Sequence, residues 1–265
     1  MTLTQDDWDS HWQSYAASAE HNPAQRYRRK LVVSLVKKAR QPERIVDIGS
    51  GQGDMVAHLR SAFPSAELIG IDVSTTGTGI SRGKVPSATF VQRDLLTPSP
   101  VPEDLSAWGT DAICSEVLEH VDEPDVLLAN AKAYLSPGCR IVITVPGGPR
   151  SAYDTHIGHR RHYTTHSLRA LLQKAGLEVE WVGRAGWPFF NIYRLLVIRR
   201  GKHLIDDVAA SNRGASVLLA RAIMGVFRLL FLFNLPASRW GWQMVAVARV
   251  PQSGAQERIP STPVE

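Results

Sequence analysis

A chain of 265 residues with 44% apolar and 21% charged residues has enough material for one sizeable core and is too apolar to be disordered. A formal net charge of +5 is modest, and the absence of any run of 18 uncharged apolar residues argues against a spanning helix. Cys114 and Cys139 both fall in predicted strands, which suits buried thiols in a reducing compartment rather than a disulfide framework. The polar start Met1-Thr2-Leu3-Thr4-Gln5-Asp6-Asp7 does not resemble a secretory signal. The expectation is a cytoplasmic protein.

In chain order, residues 5–40 read as two helices, an N-terminal helical cap over 1–40. The first carries Trp8, Trp12 and Tyr15 at i, i+4 and i+7, the spacing of one packed helix face, with a lid over a binding site as the alternative. Short runs rich in Val and Ile then predict strands at 44–48, 67–72, 89–92, 111–115 and 140–145, with helices at 53–62 and 125–135 between them. Pro137-Gly138 reads as the stop of the second helix. A helix at about 165–175 and strands at 178–184 and 243–249 follow. The alternation predicts an α/β fold, a Rossmann-like three-layer sandwich whose mostly parallel seven-stranded sheet ends on an antiparallel strand. The main domain spans 41–250, and 251–265 reads as a disordered tail.

An insertion at about 186–240 separates the last two strands and holds apolar segments at 188–198 and 215–236. Residues 181–250 contain ten Lys/Arg and two Asp, a net +8, so the remainder of the chain is at −3. An interfacial helix giving peripheral membrane contact through 188–236, a lid over a greasy substrate, and a buried helix or homodimer interface all fit this pattern. Basic residues interleaved with aliphatics do not make a nucleic-acid groove.

After the first strand, Gly49-Ser50-Gly51-Gln52-Gly53 lets the backbone approach a ligand and places a helix N-terminus against it. Asp47 precedes this loop and can orient it or hold a ligand amine through water. Asp72 ends the second strand and suits two ribose hydroxyls, and Asp94 after the third can accept from an adenine amine. Each has a plain alternative as a loop cap. A dinucleotide-binding dehydrogenase fits less well, because the third glycine comes one position early and no Tyr-x-x-x-Lys pair exists.

Asp-Ile-Gly-Ser-Gly-Gln-Gly at 47–53, Gly-Ile-Asp-Val-Ser at 70–74, Gln-Arg-Asp-Leu-Leu at 92–96 and Ser-Glu-Val-Leu-Glu-His-Val at 115–121 resemble the ordered motifs of class I S-adenosylmethionine-dependent methyltransferases. Leu135-Ser136-Pro137-Gly138 with the strand that follows extends the likeness over roughly 25–185. The resemblance implies S-adenosylmethionine as cofactor, held by Asp47, Gly49, Gly51, Gly53, Asp72, Val73, Asp94, Leu95 and Ser115. Tyr27 and Arg28 are placed to reach its methionine carboxylate.

Glu116, Glu119 and His120 would share one helix face if that segment were helical, and four of the nine histidines fall in 156–166. Glu-x-x-Glu-His followed by a later histidine resembles the ubiquinone-type O-methyltransferases and the small-RNA terminal 2′-O-methyltransferases. That resemblance implies a divalent metal (Mg, Mn or Zn) on Glu116, Glu119, His120 and His159. The alternative is a metal-free site in which His120 or His159 acts as base beside Glu119. The expected activity is methyl transfer to a hydroxyl of a small hydrophobic or glycosylated metabolite. Alternatives are N- or C-methylation, or a non-catalytic partner protein that binds S-adenosylmethionine.

Overall fold

The computed structural model describes residues 8–10, 12, 22–38, 40–210 and 215–252, with the backbone path alone for 200–210 and 215–222. Tyr15 and most of the expected tail lie outside the described residues. Seven strands, β1 (Arg44–Ile48), β2 (Glu67–Asp72), β3 (Thr89–Gln92), β4 (Gly109–Ser115), β5 (Leu135–Pro146), β6 (Glu178–Ala185) and β7 (Gln243–Arg249), form one sheet in the order β3-β2-β1-β4-β5-β7-β6. β7 runs antiparallel to both β5 and β6, and the other pairings are parallel. This is the Rossmann-like α/β sheet expected from the sequence.

Alternate residues along each central strand feed opposite layers, as period-2 pleating requires. Val46, Ala112, Cys114, Ile141 and Ile143 pack beneath α4 (Pro124–Ala131) and α6 (Thr165–Lys174), through Leu127, Leu128, Leu168 and Leu172. Ile45, Ile113 and Val142 face α1 (Pro23–Lys37) and α2 (Asp54–Ala62), through Val32, Val36, Val56 and Leu59. Two remaining helices, α3 (Thr75–Lys84) and the short α5 (Ala152–His156), flank the carboxyl edge of the sheet. Cys114 and Cys139 are buried free thiols.

The expected helix over 125–135 is shorter. After α4 a 3₁₀ turn at Lys132–Tyr134 leads straight into β5, and Pro137-Gly138 lies inside that strand instead of ending a helix. Leu135 pairs with Gly109, then Arg140 pairs with Asp111, so the segment between bulges. Burying Tyr134 and Leu135 and pairing an extended β4 outweigh another helical turn. Gly138, at φ +80°, donates its amide to the carbonyl of Val250 at 2.9 Å, which ties down the bulge.

Between β6 and β7 the chain builds a helical hairpin, α7 (Phe189–Ala210) and α8 (Ala215–Leu230), followed by a 3₁₀ turn at Phe231–Phe233. Phe190, Phe227 and Phe231 pack on one another and on Ala24 of α1, with Tyr27 and Tyr193 beside them. Asn234 caps the hairpin: its Oδ1 accepts from the amides of Phe189 and Phe190 at 2.9 and 3.1 Å. None of the described helices is long and apolar enough to cross a membrane.

Candidate active site

The glycine loop leaves β1 through three left-handed residues, Gly49, Gly51 and Gly53, at φ +74°, +51° and +79°. Space as well as conformation demands glycine here. A Cβ on Gly49 would stand 2.3 Å from Val117, and one on Gly51 would stand 2.4 Å from the Trp12 ring. The amides of Gly49 and Ser50 donate to the carbonyl of Ile71, so the loop is stitched to the end of β2. Asp72 completes the stitch, accepting from Gly51 N–H at 2.7 Å and Ser74 N–H at 2.9 Å on its two oxygens. Burial pushes its pKa up even so.

Asp47 is 3% exposed and its Oδ2 has no hydrogen-bond partner among the described residues. Burial, and then the charge of Asp72, push its carboxyl up to about 8. A buried acceptor with no donor is costly, and an incoming cationic or N–H group would relieve it. This orphaned oxygen beside a cradle that no Cβ could share fits the amine end of S-adenosylmethionine.

Two cavities meet at this edge. The larger, about 410 Å³, is lined by Asp47, Gly49, Gly51, Ser115, Arg28 and His159 among others. The smaller, about 300 Å³, takes in Asp72, Val73, Asp94 and Leu95. Gly49, Glu116 and His120 belong to both, as do Trp8 and Trp12. Gly53 lines neither, and packs instead against Ser81, whose hydroxyl donates to the Gly51 carbonyl at 2.8 Å. Asp94 accepts from the Leu96 amide and the Thr97 hydroxyl, so it caps its own turn while facing the smaller cavity.

Trp8 and Trp12 therefore cover the site instead of filling a separate core. Their ring centroids are 6.4 Å apart, and Trp8 meets the His120 ring edge-on at 4.8 Å. Of the two residues expected to reach the methionine carboxylate, Arg28 lines the larger cavity, while Tyr27 turns into the aromatic cluster against Phe190 and Phe231.

The segment 116–120 is not helical, so Glu116, Glu119 and His120 do not share a helix face. Glu116 has φ +59°, which turns the chain, and 117–120 continue as turn and bend. Glu116 is taken up by other partners. Its carboxylate accepts from Gln243 Nε2 at 2.9 Å and pairs with Arg28 Nη1 at 3.4 Å. The proposed four-ligand set is thus split, and three members stay together. Ligand atoms of Glu119, His120 and His159 all lie within 4.8 Å of one another. Glu119 is fully buried, neither carboxylate oxygen is hydrogen-bonded among the described residues, and burial followed by the Glu116 charge raises its pKa well above the usual range.

From His120 a row of imidazoles runs inward. His120 and His159 meet edge to face at 4.7 Å, and His159 Nδ1 lies 3.2 Å from His162 Nε2. Burial, then the neighbouring His120, depresses His159 to about 2, so it is neutral at physiological pH. Asp154 closes the row. It is fully buried, accepts from the Ser151 amide and hydroxyl at 2.7 Å, and receives Arg194 from α7. Asp154, Arg194 and Gln243 went unread in the sequence. A capping pattern, Ser151 to Asp154, marked only the first of them, as the start of α5.

A family model described as a methyltransferase domain matches residues 19–182. The trans-aconitate 2-methyltransferase of Methylobacterium nodulans is 30% identical over 107 residues, 40% of this chain and 39% of that protein. The malonyl-[acyl-carrier protein] O-methyltransferase of Halalkalibacterium halodurans is 28% identical over 135 residues, 48% of this chain and 49% of that one. The chain thus spans half or less of the length of these two relatives. Among solved structures, a methyltransferase of Thermotoga maritima superposes with a TM-score of 0.58 at 15% identity, covering 91% of this chain and 99% of that one. The phosphoethanolamine N-methyltransferase 2 of Haemonchus contortus does so at 0.55 and 16%, covering 83% and 52%. These likenesses show the fold. With a methyltransferase-domain model matched over more than half its length, the chain belongs to the methyltransferase-domain family.

Proposed function

We propose that the protein methylates a hydroxyl of a small hydrophobic or glycosylated acceptor, with His120 taking the proton. The observation behind this reading is the place of His120 on the wall shared by the two cavities, between the edges of Trp8 and His159. When bound, S-adenosylmethionine supplies an electrophilic sulfonium methyl; an O–CH₃ bond forms as S–CH₃ breaks, leaving S-adenosylhomocysteine and the hydroxyl proton. A hydroxyl is a poor nucleophile while protonated, so a base in contact with it lowers the barrier. Glu119, buried under His120 with its pKa raised by burial, sits 3.9 Å from its Nε2 and acts as a positioning group. Oxygen as the acceptor atom also agrees with the name of the malonyl-[acyl-carrier protein] O-methyltransferase.

In the same reading, Asp72 with Val73 holds the ribose and Asp94 with Leu95 the adenine. Asp47, Gly49, Gly51 and Ser115 hold the methionine end, Arg28 its carboxylate, and Gly53 shapes the loop. Trp8 and Trp12 exclude water from the transfer.

A second reading is favoured by the unpartnered Glu119 oxygens. Glu119, His120 and His159 would hold a divalent ion, which would lower the pKa of the acceptor hydroxyl when bound. Two imidazoles and an inward carboxylate suit that donor set, and Glu116 stays outside it as the partner of Arg28. Turnover to S-adenosylhomocysteine with hydroxyl acceptors, compared between the wild type and His120→Ala, tests the reading. Retained turnover in the variant would remove His120 from the chemistry.

A further inference from the structure

We infer that the outer face of the α7–α8 hairpin docks on an anionic lipid bilayer. The hairpin is apolar on two sides, and the core uses one of them. Phe190, Phe227 and Phe231 point inward and are buried against α1. Away from that cluster on α8, Val226 and Leu229 stand at i, i+3 and are exposed, Leu229 at 65%. The 3₁₀ turn prolongs this face with Leu232 and Phe233, exposed at 63% and 71%. On α7, Ile192, Leu195 and Leu196 are exposed at i, i+3 and i+4, with exposed Arg199 one turn further. A run of large exposed apolar side chains of this extent marks an interaction surface, since scattered single residues would be ordinary.

The chemistry around the face selects the occupant. Trp187 and Trp240 lie 5.6 Å apart at the base of the hairpin, and the Arg239 guanidinium stands 4.6 Å from the Trp240 ring. Arg228 is exposed on α8 itself. Tryptophan with arginine around an apolar surface is the composition that settles at the headgroup boundary of a bilayer. Exposed Arg199, Arg228 and Arg239 supply the positive charge beside this face. An acidic membrane complements such a face.

The full chain is to be mixed with vesicles of phosphatidylglycerol and phosphatidylcholine, and separately with phosphatidylcholine alone, and floated on a gradient. Binding to the anionic vesicles, weakened by salt, is expected. Leu229→Asp with Phe233→Asp should lower it at least about tenfold, and Arg228→Glu with Arg239→Glu should abolish the preference for anionic lipid. Melting temperature and S-adenosylmethionine affinity show that each variant is folded, and neither readout needs an acceptor. Failure of the wild type to float with anionic vesicles overturns the inference. So does a dimer in sedimentation velocity that Phe233→Asp disperses, which would assign the face to a second copy.

Discussion

Arg194 donates to both carboxylate oxygens of Asp154, at 3.0 and 2.8 Å, across 40 residues of sequence. Asp154 in turn accepts the His159 amide on its backbone carbonyl at 2.8 Å and faces the His159 ring at 3.9 Å. The pair therefore links the inserted hairpin to the row of histidines that ends at His120.

Removing Arg194 leaves a buried carboxylate without its charge partner. Arg194→Ala should cost about 3 kcal/mol of stability, read in urea unfolding, and should reduce turnover more than cofactor affinity. Arg194→Lys, which keeps the charge and loses the planar guanidinium, should fall between. A variant as stable as the wild type would remove the pair from the account.

Asp47 gives a pH prediction. Its carboxyl titrates at about 8 in the fold against an ordinary value of 3.8. Below both values the group contributes no pH dependence. Between them the unfolded chain gives up its proton while the folded chain keeps it, so stability falls as pH rises and stays low above 8. Asp47→Asn should raise the melting temperature of the cofactor-free protein at pH 8 and have little effect at pH 4. It should also weaken S-adenosylmethionine binding. Equal melting curves at both pH values would show that Asp47 is not held protonated.

Gly51→Arg should abolish cofactor binding in calorimetry, because even a Cβ there meets the Trp12 ring and a longer side chain would fill the cradle. Unchanged affinity would move the cofactor away from the glycine loop.

Metal dependence separates the two readings of the histidine cluster. If Glu119, His120 and His159 hold a divalent ion, chelation should stop turnover and one ion should restore it, with Glu119→Gln weakening that ion's binding about tenfold or more. Full activity in a metal-free preparation would leave His120 as the base.

Most of the sheet was legible because each strand buries a short Val/Ile run, and five strand ranges (44–48, 67–72, 89–92, 178–184 and 243–249) matched to within a residue. Asp47, Asp72 and Asp94 were legible for the same reason: their place follows from the strand ends. The reading faltered where long-range contacts override local pattern. Glu-x-x-Glu-His suggests a helical face, yet Glu116 is drawn off by Gln243, 127 residues away, and by Arg28. Trp8 and Trp12 have the spacing of core residues, and only the position of the glycine loop shows what they cover. Arg194 reads as one more charge in a basic insertion until the fold brings it to Asp154.

In the proposed reaction the methyl acceptor is a hydroxyl oxygen. The most direct measurement incubates the protein with cell extract and S-adenosylmethionine carrying a ¹³C methyl, then identifies the labelled product by carbon NMR and mass spectrometry. A methoxy carbon, formed by the wild type and lost in His120→Ala, is the predicted result. A label found on nitrogen or carbon, with hydroxyl compounds unlabelled, would contradict it.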